Sequence, residues 1–362
     1  MAEKPEEYMD IALRLAKRMM GACSPNPSVG CVLTNGKGKI IGRGWTKAGG
    51  RPHAETEALL QAGRQAKGAT AYVTLEPCAH KGETGPCAEA LRDAGIAKLV
   101  CAIRDPDPRV SAKGIEILQK AGVTIMEGVL AEKAESAHHG FFLRIKKGRP
   151  AICLKLATDA RGIMAGKDKK QIWISNALSR RFAHLMRAEH DAILIGIGTA
   201  LSDNPSLDCR IEGLESYSPL PVLLDSTLRL PLGSKLLQRE KLLIFHGSQA
   251  KDKARTRLEA EGAECIELDC DKGRQDIELV GRHLAKRGVN NLLVEGGIEI
   301  ARSFLESKVV DSLNWFQSNQ EIGEGYAPFP GFSQKQLEEK YGFQLLYKHQ
   351  LGQDNWLGFK KG

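Results

Sequence analysis

Apolar runs of strand length alternate with amphipathic helical segments along almost the whole chain. Residues 71–75, apolar apart from Thr74, and residues 99–103 are runs of strand length, and a helical segment opened by Pro86 and closed by Gly95 separates them. Strands that are separated by helices favour a mostly parallel sheet with helices on both faces. The pattern therefore predicts an α/β fold.

The chain length and one charged segment that contains Gly and Pro predict two domains. At roughly 100–200 residues per domain, 362 residues are enough for two separate cores. The segment KKGRP at 146–150 combines charge with Gly and Pro and precedes a new apolar run at 151–156. We therefore predict domains at 1–147 and 148–362. Near the end, 311–317 and 343–349 show no helical pattern between them and predict an antiparallel finish.

Composition favours a cytoplasmic protein that does not span a membrane. The longest apolar runs, such as 192–195 and 242–245, are far shorter than the roughly 18 residues a spanning helix needs. The first ten residues contain no apolar signal-peptide core. Nine cysteines, an odd number without disulfide-framework spacing, fit a reducing compartment.

The net charge favours small anionic ligands over nucleic acid. The 52 Lys and Arg residues against 44 Asp and Glu residues give +8, but no basic tract concentrates the excess. Aromatic residues make up only 6% of the chain, so basic patches with interleaved aromatics are not expected. An RNA-binding or regulatory module stabilised by zinc is the alternative that the charge leaves open.

Four residues predict a catalytic zinc site in the first domain. His53 and Glu55 stand in the segment HAE, while Cys78 and Cys87 each follow a proline. One imidazole and two thiolates leave a fourth tetrahedral position open, as in catalytic zinc sites. H-x-E with P-C-x-x-C is the signature of zinc nucleobase deaminases, in which Glu moves protons. Here the gap between the two cysteines is longer, with eight residues between them. We expect His53, Cys78 and Cys87 to bind zinc and Glu55 to be catalytic.

Two other interpretations of these residues remain. His53 could be a surface histidine beside two buried apolar thiols, which is the more common environment of a single cysteine. Alternatively, His80 could be a fourth ligand in a closed structural zinc site, which would leave Glu55 without a role.

Two further positions in the first domain are candidate substrate contacts. Asn26 lies between two prolines before the first predicted strand, and its amide can both donate to and accept from a heterocycle edge. The other interpretation is an ordinary turn. His80 and Lys81, between the two cysteines, could meet a phosphate, although solvated loop charges are the simpler interpretation.

The second domain shows no zinc or Ser-His-Asp pattern, so its chemistry should depend on a bound cofactor. The segment 196–201 follows a strand but lacks the third glycine and the distant acidic residue of a dinucleotide fingerprint. Glu295-Gly296-Gly297 ends a strand and opens a helix, where backbone N–H groups can hold a phosphate. A plain strand-to-helix turn fits that spacing equally well.

The first half also resembles a known family. SPNPSVG, GGRPHAE, TLEPCAHKGETGPC and DPDPRV resemble the deaminase half of the bifunctional riboflavin-biosynthesis family, the diaminohydroxyphosphoribosylaminopyrimidine deaminase / 5-amino-6-(5-phosphoribosylamino)uracil reductases. The resemblance extends over essentially the whole chain. It implies a cytidine-deaminase-like α/β/α sandwich, and it carries over the roles of the zinc ligands His53, Cys78 and Cys87, the proton donor Glu55, and substrate contacts from Asn26 and the His80 loop.

KLATDARG, QIWIS, LLDSTLRLP and LLVEGG resemble the reductase half of the same family, which has a dihydrofolate-reductase-like α/β fold and uses NADPH. The positions that match nicotinamide-cofactor contacts are Ala157, Trp173, Thr199, Asp203, Ser226 and Gly297. The positions that match substrate contacts are Gln171, Arg187, Leu207, Arg210 and Glu295. Arg187 and Arg210 suit a phosphate because a guanidinium can hold it with two hydrogen bonds.

The chain departs from the family's pattern at several positions. Thr46 stands where His is often found, Glu83 where a basic residue usually occurs, and Asp107 where Asn is frequent. In the second half, Arg161 replaces the Asp of a tight turn, and SNQEIGEGYAPF at 318–329 replaces a shorter segment.

These observations predict a bifunctional enzyme of riboflavin biosynthesis. The resemblance implies zinc-dependent hydrolytic deamination of 2,5-diamino-6-(5-phosphoribosylamino)pyrimidin-4-one, followed by NADPH-dependent reduction of the ribosyl group to ribityl. We expect a homo-oligomer with a small phosphorylated substrate and without nucleic-acid or membrane partners. The runner-up is a zinc deaminase of another base or nucleotide whose second domain binds substrate without reducing it.

Overall fold

The chain folds into two compact units, Met1–Gly148 and Arg149–Gly362. The computed structural model describes residues 4–79, 85–108, 111–167, 174–268, 270–271 and 274–362.

The first unit is built on a five-stranded sheet. Its strands are β1 (Gly30–Thr34), β2 (Ile40–Trp45), β3 (Thr70–Val73), β4 (Lys98–Cys101) and β5 (Thr124–Glu127), and its helices are α1 (Pro5–Ala16), α2 (Ala54–Ala62), α3 (Cys87–Asp93), α4 (Lys113–Lys120), α5 (Ala131–Ala137) and α6 (His139–Lys147). The strand order is β2-β1-β3-β4-β5.

The sheet of the first unit is mixed, so the prediction of a mostly parallel sheet is wrong here. β3, β4 and β5 are parallel, but β1 is antiparallel to both β2 and β3. The reason is the β1–β2 hairpin, because it brings β2 back along one edge of β1 and leaves the other edge for β3. Two short helices follow the sheet, since His138 leaves helical geometry (φ −101°, ψ 11°) between α5 and α6.

Glycines allow two helices to lie unusually close to this sheet. A Cβ atom at Gly30 would lie 1.9 Å from the carbonyl oxygen of Ala12 in α1. A Cβ atom at Gly44 would lie 1.9 Å from the carbonyl oxygen of Ala54 in α2. These contacts are with backbone, which cannot move aside as a flexible side chain can. The glycines therefore fix the position of α2, whose first turn follows His53.

The second unit is built on a nine-stranded sheet. Its strands are β6 (Ala151–Thr158), β8 (Ala192–Gly196), β9 (Leu220–Leu224), β10 (Leu243–His246), β11 (Glu264–Glu267), β14 (Asn291–Glu295), β15 (Ser312–Gln317), β17 (Phe343–Leu351) and β18 (Asp354–Lys361). Two small antiparallel pairs lie outside this sheet. They are formed by β7 (Ala165–Gly166) with β16 (Gly325–Tyr326) and by β12 (Cys270–Asp271) with β13 (Arg274–Gln275). Its helices are α7 (Ala177–Ala188), α8 (Ile197–Asp203), α9 (Asp252–Ala260), α10 (Ile277–Lys286), α11 (Ile298–Glu306) and α12 (Gln334–Tyr341).

Seven strands of this sheet are parallel, in the order β11-β10-β9-β8-β14-β6-β15. All five residues of β8 are buried, as is typical of a strand that helices cover on both faces. β18 is antiparallel to β15, and β17 is antiparallel to β18. The predicted antiparallel finish is therefore present.

The absence of a helix between 311–317 and 343–349 was a wrong prediction. Helix α12 lies between those strands, and only Leu337 and Tyr341 of its eight residues are buried. Two buried residues make too weak an amphipathic pattern for recognition from sequence. The edge strand β17 pairs with β18, which the sequence pattern did not reveal.

No helix in the described part of the chain has both the length and the apolar character needed to cross a bilayer.

The close packing of α2 on the sheet can be tested with a matched pair of glycine substitutions. We expect Gly44→Ala to destabilise the β1–β2 hairpin by about 3 kcal/mol, because its methyl group would displace helix backbone. Gly36→Ala is the control, since a Cβ atom there would meet nothing within 4 Å. Hydrogen exchange of the β1–β2 amides measures the difference. Equal protection in the two variants would contradict this account of the packing.

Candidate active sites

The first unit brings His53, Cys78 and Cys87 together, as predicted. His53 is the N-cap residue of α2, Cys87 is the first residue of α3, and Cys78 lies in the connection after β3. The Cys87 and Cys78 Sγ atoms lie 3.3 and 3.6 Å from His53 Nδ1. The ligand atoms all lie within 4.8 Å of one another. Three separate points of the chain thus form one potential metal site.

The start of α3 stabilises the Cys78 sulfur. The Cys87 backbone N–H donates to Cys78 Sγ over 3.3 Å, and the Ala88 N–H donates to the Cys78 carbonyl oxygen over 3.1 Å. A helix N-terminus carries partial positive charge and favours thiolate over thiol. The side-chain hydrogen bond with the Cys87 thiol, followed by those with His53 and with the Cys87 backbone N–H, lowers the pKa of Cys78 to about 4 against the opposing effect of burial.

Glu55 lies in the first turn of α2 and is only 3% exposed. Burial, followed by the charge of Cys78, raises the pKa of Glu55 to about 7. A carboxyl group with such a pKa can both accept and release a proton near neutral pH. Glu55 therefore has the environment expected of a general acid and base beside the three ligand residues.

The donor set fits a catalytic zinc ion. At bond lengths of about 2.0–2.3 Å, two ligand atoms of a tetrahedral zinc site lie roughly 3.5–3.8 Å apart. The nitrogen–sulfur separations of 3.3 and 3.6 Å are close to that spacing. One nitrogen and two sulfurs leave a fourth position for water or substrate. His80, the fourth ligand of the alternative closed site, lies outside the described residues, as do Lys81 and Glu83.

Glu76 holds the segment that carries Cys78, a role that sequence reasoning missed. Its carboxylate is 3% exposed. Oε2 accepts from the backbone N–H groups of Ala112 and Asp105 at 3.0 and 3.3 Å. Oε1 accepts from those of Gly114 and Ile115 at 3.1 and 3.4 Å. Glu76 therefore binds the start of α4 and fixes the chain two residues before Cys78.

Asn26 and Thr46 belong to one hydrogen-bonded loop cluster. Asn26 Nδ2 donates to the Gly50 carbonyl oxygen over 2.9 Å, which ties Asn26 to the segment that precedes His53. The buried Thr46 hydroxyl accepts from the Val29 N–H at 2.9 Å and donates to the Pro27 carbonyl at 3.1 Å. Thr46, a departure from the family pattern, thus holds the segment that leads from Asn26 into β1.

Asp107, another departure, is buried in the loop before α4. Its N–H donates to Asp105 Oδ1 over 2.8 Å, and its carbonyl oxygen accepts from the Ser111 N–H over 2.8 Å. These bonds are made by its backbone, so they do not depend on the residue being Asp.

The second unit contains a large cavity at the carboxyl ends of its parallel strands. Its volume is about 1850 Å³. It is lined by nine of the eleven residues predicted for cofactor or substrate, namely Ala157, Arg187, Thr199, Asp203, Leu207, Arg210, Ser226, Glu295 and Gly297. The other two, Gln171 and Trp173, lie outside the described residues. Open α/β sheets bind ligands at this edge.

Arg187 and Glu295 form a buried ion pair in this cavity. Arg187 Nε and Nη2 donate to Glu295 Oε1 and Oε2 at 3.0 and 2.9 Å, and both side chains are 13% exposed. Arg187 Nη1 also donates to the Asp208 carbonyl oxygen at 3.0 Å. Burial opposes ionisation of Glu295, but Arg187 outweighs it and lowers the pKa of Glu295 to about 2. Three donors of Arg187 are thus already engaged within the protein.

Lys155 joins this pair, although sequence reasoning did not select it. It lies opposite Glu295 in the register of β6 and β14 and lines the cavity. Burial lowers the pKa of Lys155, while the charge of Glu295 opposes that shift. A lysine inside a strand that is otherwise apolar was the signal that could have identified it.

Other predicted residues of the second unit form hydrogen bonds within the protein or have unusual backbone geometry. The Gly297 N–H donates to Thr199 Oγ1 over 3.0 Å, which joins the starts of α8 and α11. Leu207 adopts φ +54°, a conformation that a non-glycine residue seldom adopts, and its side chain is buried. Arg210 Nη2 lies 3.2 Å from His184 Nε2, and its Nε lies 3.6 Å from Asp208 Oδ1.

Comparisons with known proteins identify the family of each half of the chain. Residues 150–354 match the family described as RibD C-terminal domain, and residues 2–103 match the cytidine and deoxycytidylate deaminase zinc-binding region. The riboflavin biosynthesis protein RibD of Aquifex aeolicus is 36% identical over 359 residues, which cover 99% of each chain. RibD of Escherichia coli is 35% identical over 94% of this chain and 95% of its own. The chain belongs to the RibD family.

Two solved structures resemble the whole fold. Acinetobacter baumannii RibD matches with a TM-score of 0.88 at 33% identity, and the match covers 99% of both chains. A diaminohydroxyphosphoribosylaminopyrimidine deaminase / 5-amino-6-(5-phosphoribosylamino)uracil reductase from Thermotoga maritima matches with a TM-score of 0.86 at 31% identity and the same coverage. As a RibD protein, the chain is a bifunctional deaminase and reductase of riboflavin biosynthesis, with zinc and NADPH as its cofactors.

Two departures from the RibD pattern contact each other in the second unit. Arg161 Nε lies 3.5 Å from Glu321 Oε2 and 3.7 Å from Asp159 Oδ2, and its Nη2 donates to the Gly323 carbonyl oxygen. The buried Asp159 carboxylate also accepts from the Ile322 N–H at 3.2 Å. Arg161 and the unusual segment around 321–323 are thus parts of one local structure. Each departure supplies partners for the other.

The role of Glu76 can be tested through metal retention. In Glu76→Gln, an amide NH2 group replaces one carboxylate oxygen, so two buried backbone N–H groups lose their acceptor. Each unpaired N–H group costs about 1–3 kcal/mol of stability. We expect zinc to transfer to a chromogenic chelator roughly 10-fold faster than from the wild type, because support of the ligand segment is weaker. Glu116→Gln, at a 56% exposed position of α4, is the control. Identical zinc release from both variants would show that Glu76 does not support the site.

Proposed function

We propose that residues 1–147 hydrolyse the 2-amino group of 2,5-diamino-6-(5-phosphoribosylamino)pyrimidin-4-one. Residues 148–362 would then reduce the ribosyl group of the product to ribityl with NADPH. The observation that carries the deaminase assignment is the convergence of His53, Cys78 and Cys87 beside the buried Glu55. The matches of the first half to a deaminase zinc-binding region and of the second half to the RibD C-terminal domain support the two activities.

In the deaminase site, His53 Nδ1 and the sulfurs of Cys78 and Cys87 would hold zinc. Zinc, when bound, acts as a Lewis acid and lowers the pKa of a coordinated water to about 7. Glu55 would accept a proton from the attacking water and deliver it to the departing amine. A C–O bond forms at ring carbon 2, the C–N bond breaks, and ammonia leaves. The raised pKa of Glu55, about 7, suits both transfers.

Asn26 would contact the edge of the pyrimidine. Its hydrogen bond to Gly50 fixes the amide relative to the segment that leads to His53. A fixed amide restrains the ring in one orientation at no further entropic cost on binding. The resemblance also assigns the His80 loop to substrate binding, and the proposal includes this assignment.

In the reductase cavity, the cofactor contacts would come from Ala157, Thr199, Asp203, Ser226 and Gly297, together with Trp173. When bound, NADPH would supply hydride for the C1′ carbon of the opened sugar. The basic lining of the cavity and its size of about 1850 Å³ fit a dinucleotide beside a phosphorylated substrate.

The substrate would lie beside Arg187, Leu207, Arg210, Glu295 and Gln171. Arg187 keeps N–H groups on Nη1 and Nη2 beyond the three that bond Glu295 and Asp208, so it can still donate to a phosphate. When C1′ gains hydride, the adjoining nitrogen of the opened imine must gain a proton. Lys155 is the cavity-lining group that holds such a proton next to Glu295.

The proposal also covers the ligand class, the oligomeric state and the location of the protein. A small phosphorylated pyrimidine, rather than a nucleic acid, fits a cavity of this size and the dispersed positive charge. A homo-oligomeric state and a cytoplasmic location remain predictions from the sequence.

The decisive variant for the first step is Glu55→Gln, which preserves the shape of the side chain but cannot carry the proton. We expect ammonia release to fall by at least about 100-fold, since general acid–base catalysis contributes typically 10²–10⁴. Zinc content should stay unchanged because Glu55 is not one of the ligands. NADPH oxidation with substrate that is already deaminated should also stay unchanged and serves as the internal control. Ammonia release near the wild-type rate would remove Glu55 from the mechanism.

A further inference from the structure

His184 lies between the two arginines that would contact the substrate phosphate. It is half-buried in α7, about one turn before Arg187, and both residues line the reductase cavity. Residues three positions apart lie on the same face of a helix. Arg210, on the segment after α8, reaches the other edge of the ring, where its Nη2 lies 3.2 Å from His184 Nε2. The proposed reduction step does not use this imidazole.

The neighbours of the His184 ring select one position for its proton. A guanidinium carries donors only, so the contact with Arg210 Nη2 is a hydrogen bond only if His184 Nε2 is unprotonated. The proton then lies on Nδ1, which is 3.1 Å from the Asp208 carbonyl oxygen, an acceptor. The opposite tautomer would keep only a bond from the Arg210 backbone N–H to Nδ1, at 3.2 Å. The tautomer with the proton on Nδ1 thus satisfies two contacts instead of one.

The surroundings also keep this ring neutral. Burial, followed by the charges of Arg187 and Arg210, lowers the pKa of His184, while the Asp208 carbonyl and the charge of Glu295 oppose that shift. The ordinary pKa of histidine, about 6.5, is already below neutral pH, so the ring carries no charge near pH 7. A neutral imidazole can accept from Arg210, whereas an imidazolium has no acceptor.

The Asp208 carbonyl oxygen connects the two arginines. It lies 3.1 Å from His184 Nδ1, and it accepts from Arg187 Nη1 at 3.0 Å. Arg187 is also held by both oxygens of Glu295. Arg210 has no carboxylate at hydrogen-bond distance among the described residues, since its Nε lies 3.6 Å from Asp208 Oδ1. His184 is therefore the group that orients the guanidinium of Arg210.

Arg210 gains from such support because its side chain is 62% exposed. An exposed arginine loses rotamer freedom when it binds a ligand, and that loss weakens binding. A hydrogen bond at Nη2 restricts the guanidinium beforehand, while Nη1 has no hydrogen-bond partner in the described part of the chain. A phosphate between Arg187 and Arg210 would thus meet donors that are already positioned.

We propose that His184 is a positioning residue of the reductase, which as a neutral acceptor orients Arg210 toward the phosphate of the substrate. Through the Asp208 carbonyl it also links Arg210 to Arg187. The inference rests on the proposed function, which places the substrate beside these two arginines.

The test compares NADPH oxidation with two substrates, the deaminated phosphoribosyl compound and the same compound without its phosphate. We expect His184→Ala to raise the KM for the phosphorylated substrate about 10-fold, as loss of a hydrogen bond to a charged group does, with kcat changed less than about threefold. The KM for the substrate without phosphate and the Kd for NADPH should stay within about twofold of the wild type. A general loss of structure would change all of these values.

Two conservative variants separate the two contacts of the ring. The amide oxygen of His184→Gln can reach the position of Nε2, so we expect its KM to stay within about threefold of the wild type. His184→Asn reaches only the position of Nδ1, so it should keep the Asp208 contact and still show the higher KM of His184→Ala. The control is His349→Ala on β17, an exposed position outside the described lining of the cavity, which should leave every value unchanged.

The position of the proton can be measured without any substrate. Nitrogen NMR of full-length protein labelled at its histidine rings reports which ring nitrogen carries hydrogen, and His184→Gln identifies the signals of His184. We expect a protonated Nδ1 and an unprotonated Nε2 near pH 7. A proton on Nε2 would exclude the bond from Arg210 and overturn the inference.

The kinetic outcomes separate this inference from the proposed function. Equal KM increases for both substrates in His184→Ala would show that His184 only shapes the cavity, and an unchanged KM would show that Arg210 needs no support. Either result overturns the inference. If the KM of the wild type does not depend on the phosphate, the phosphate does not lie at Arg187 and Arg210, and the inference fails with that placement. Failure of the wild type to oxidise NADPH with the deaminated substrate would instead contradict the proposed function, and the ring signals would still test the tautomer.

Discussion

Two thiols and one imidazole must meet within a few ångströms for the first half of this protein to function, and the fold supplies them from three separate places. His53 and Cys87 each stand at the beginning of a helix, where backbone N–H groups are not used within the helix. One of those groups donates to Cys78, so the helix start that positions one ligand also stabilises the charge of another.

The support for that cluster comes from groups that carry no chemistry themselves. Glycines in β1 and β2 let α1 and α2 approach the sheet, and the Glu76 carboxylate holds the ligand segment against the start of α4. A carboxylate that accepts four backbone N–H bonds in a buried site is costly to replace, since each unpaired donor keeps its full desolvation penalty. In the second unit, a buried carboxylate also fixes the site, because Glu295 forms a bidentate ion pair with Arg187. The charge of Glu295 also opposes the lowering of the Lys155 pKa by burial. An ion pair of that kind fixes geometry more than it adds stability.

Local patterns were sufficient to predict part of this structure. The α/β fold could be predicted from the apolar runs, and the start of α3 could be predicted from Pro86, which precedes it. His53, Glu55, Cys78 and Cys87 could be selected because metal-ligand chemistry leaves few alternatives for that order of residue types.

What the sequence could not show depends on contacts between distant residues. Glu76 bonds residues 29 to 39 positions later, and Arg187 pairs with a residue 108 positions away. No local sequence pattern shows which N–H groups will pair with Glu76 or which carboxylate will pair with Arg187. The mixed order of the first sheet, the edge position of β17 and the joining of Arg161 to the segment around 321–323 are of the same kind. For Arg161, only the three-dimensional structure shows that two apparent departures from the RibD pattern are neighbours.

The central claim is that one chain deaminates and then reduces the same substrate. Its most direct test follows ammonia release and NADPH oxidation together, from protein of measured zinc content, with the phosphoribosylaminopyrimidine substrate. The account predicts about one zinc per chain, ammonia release that precedes NADPH oxidation, and loss of both signals when zinc is removed. It also predicts that substrate deaminated beforehand restores NADPH oxidation in the zinc-free protein. Ammonia release without zinc, or NADPH oxidation that precedes deamination, would contradict it.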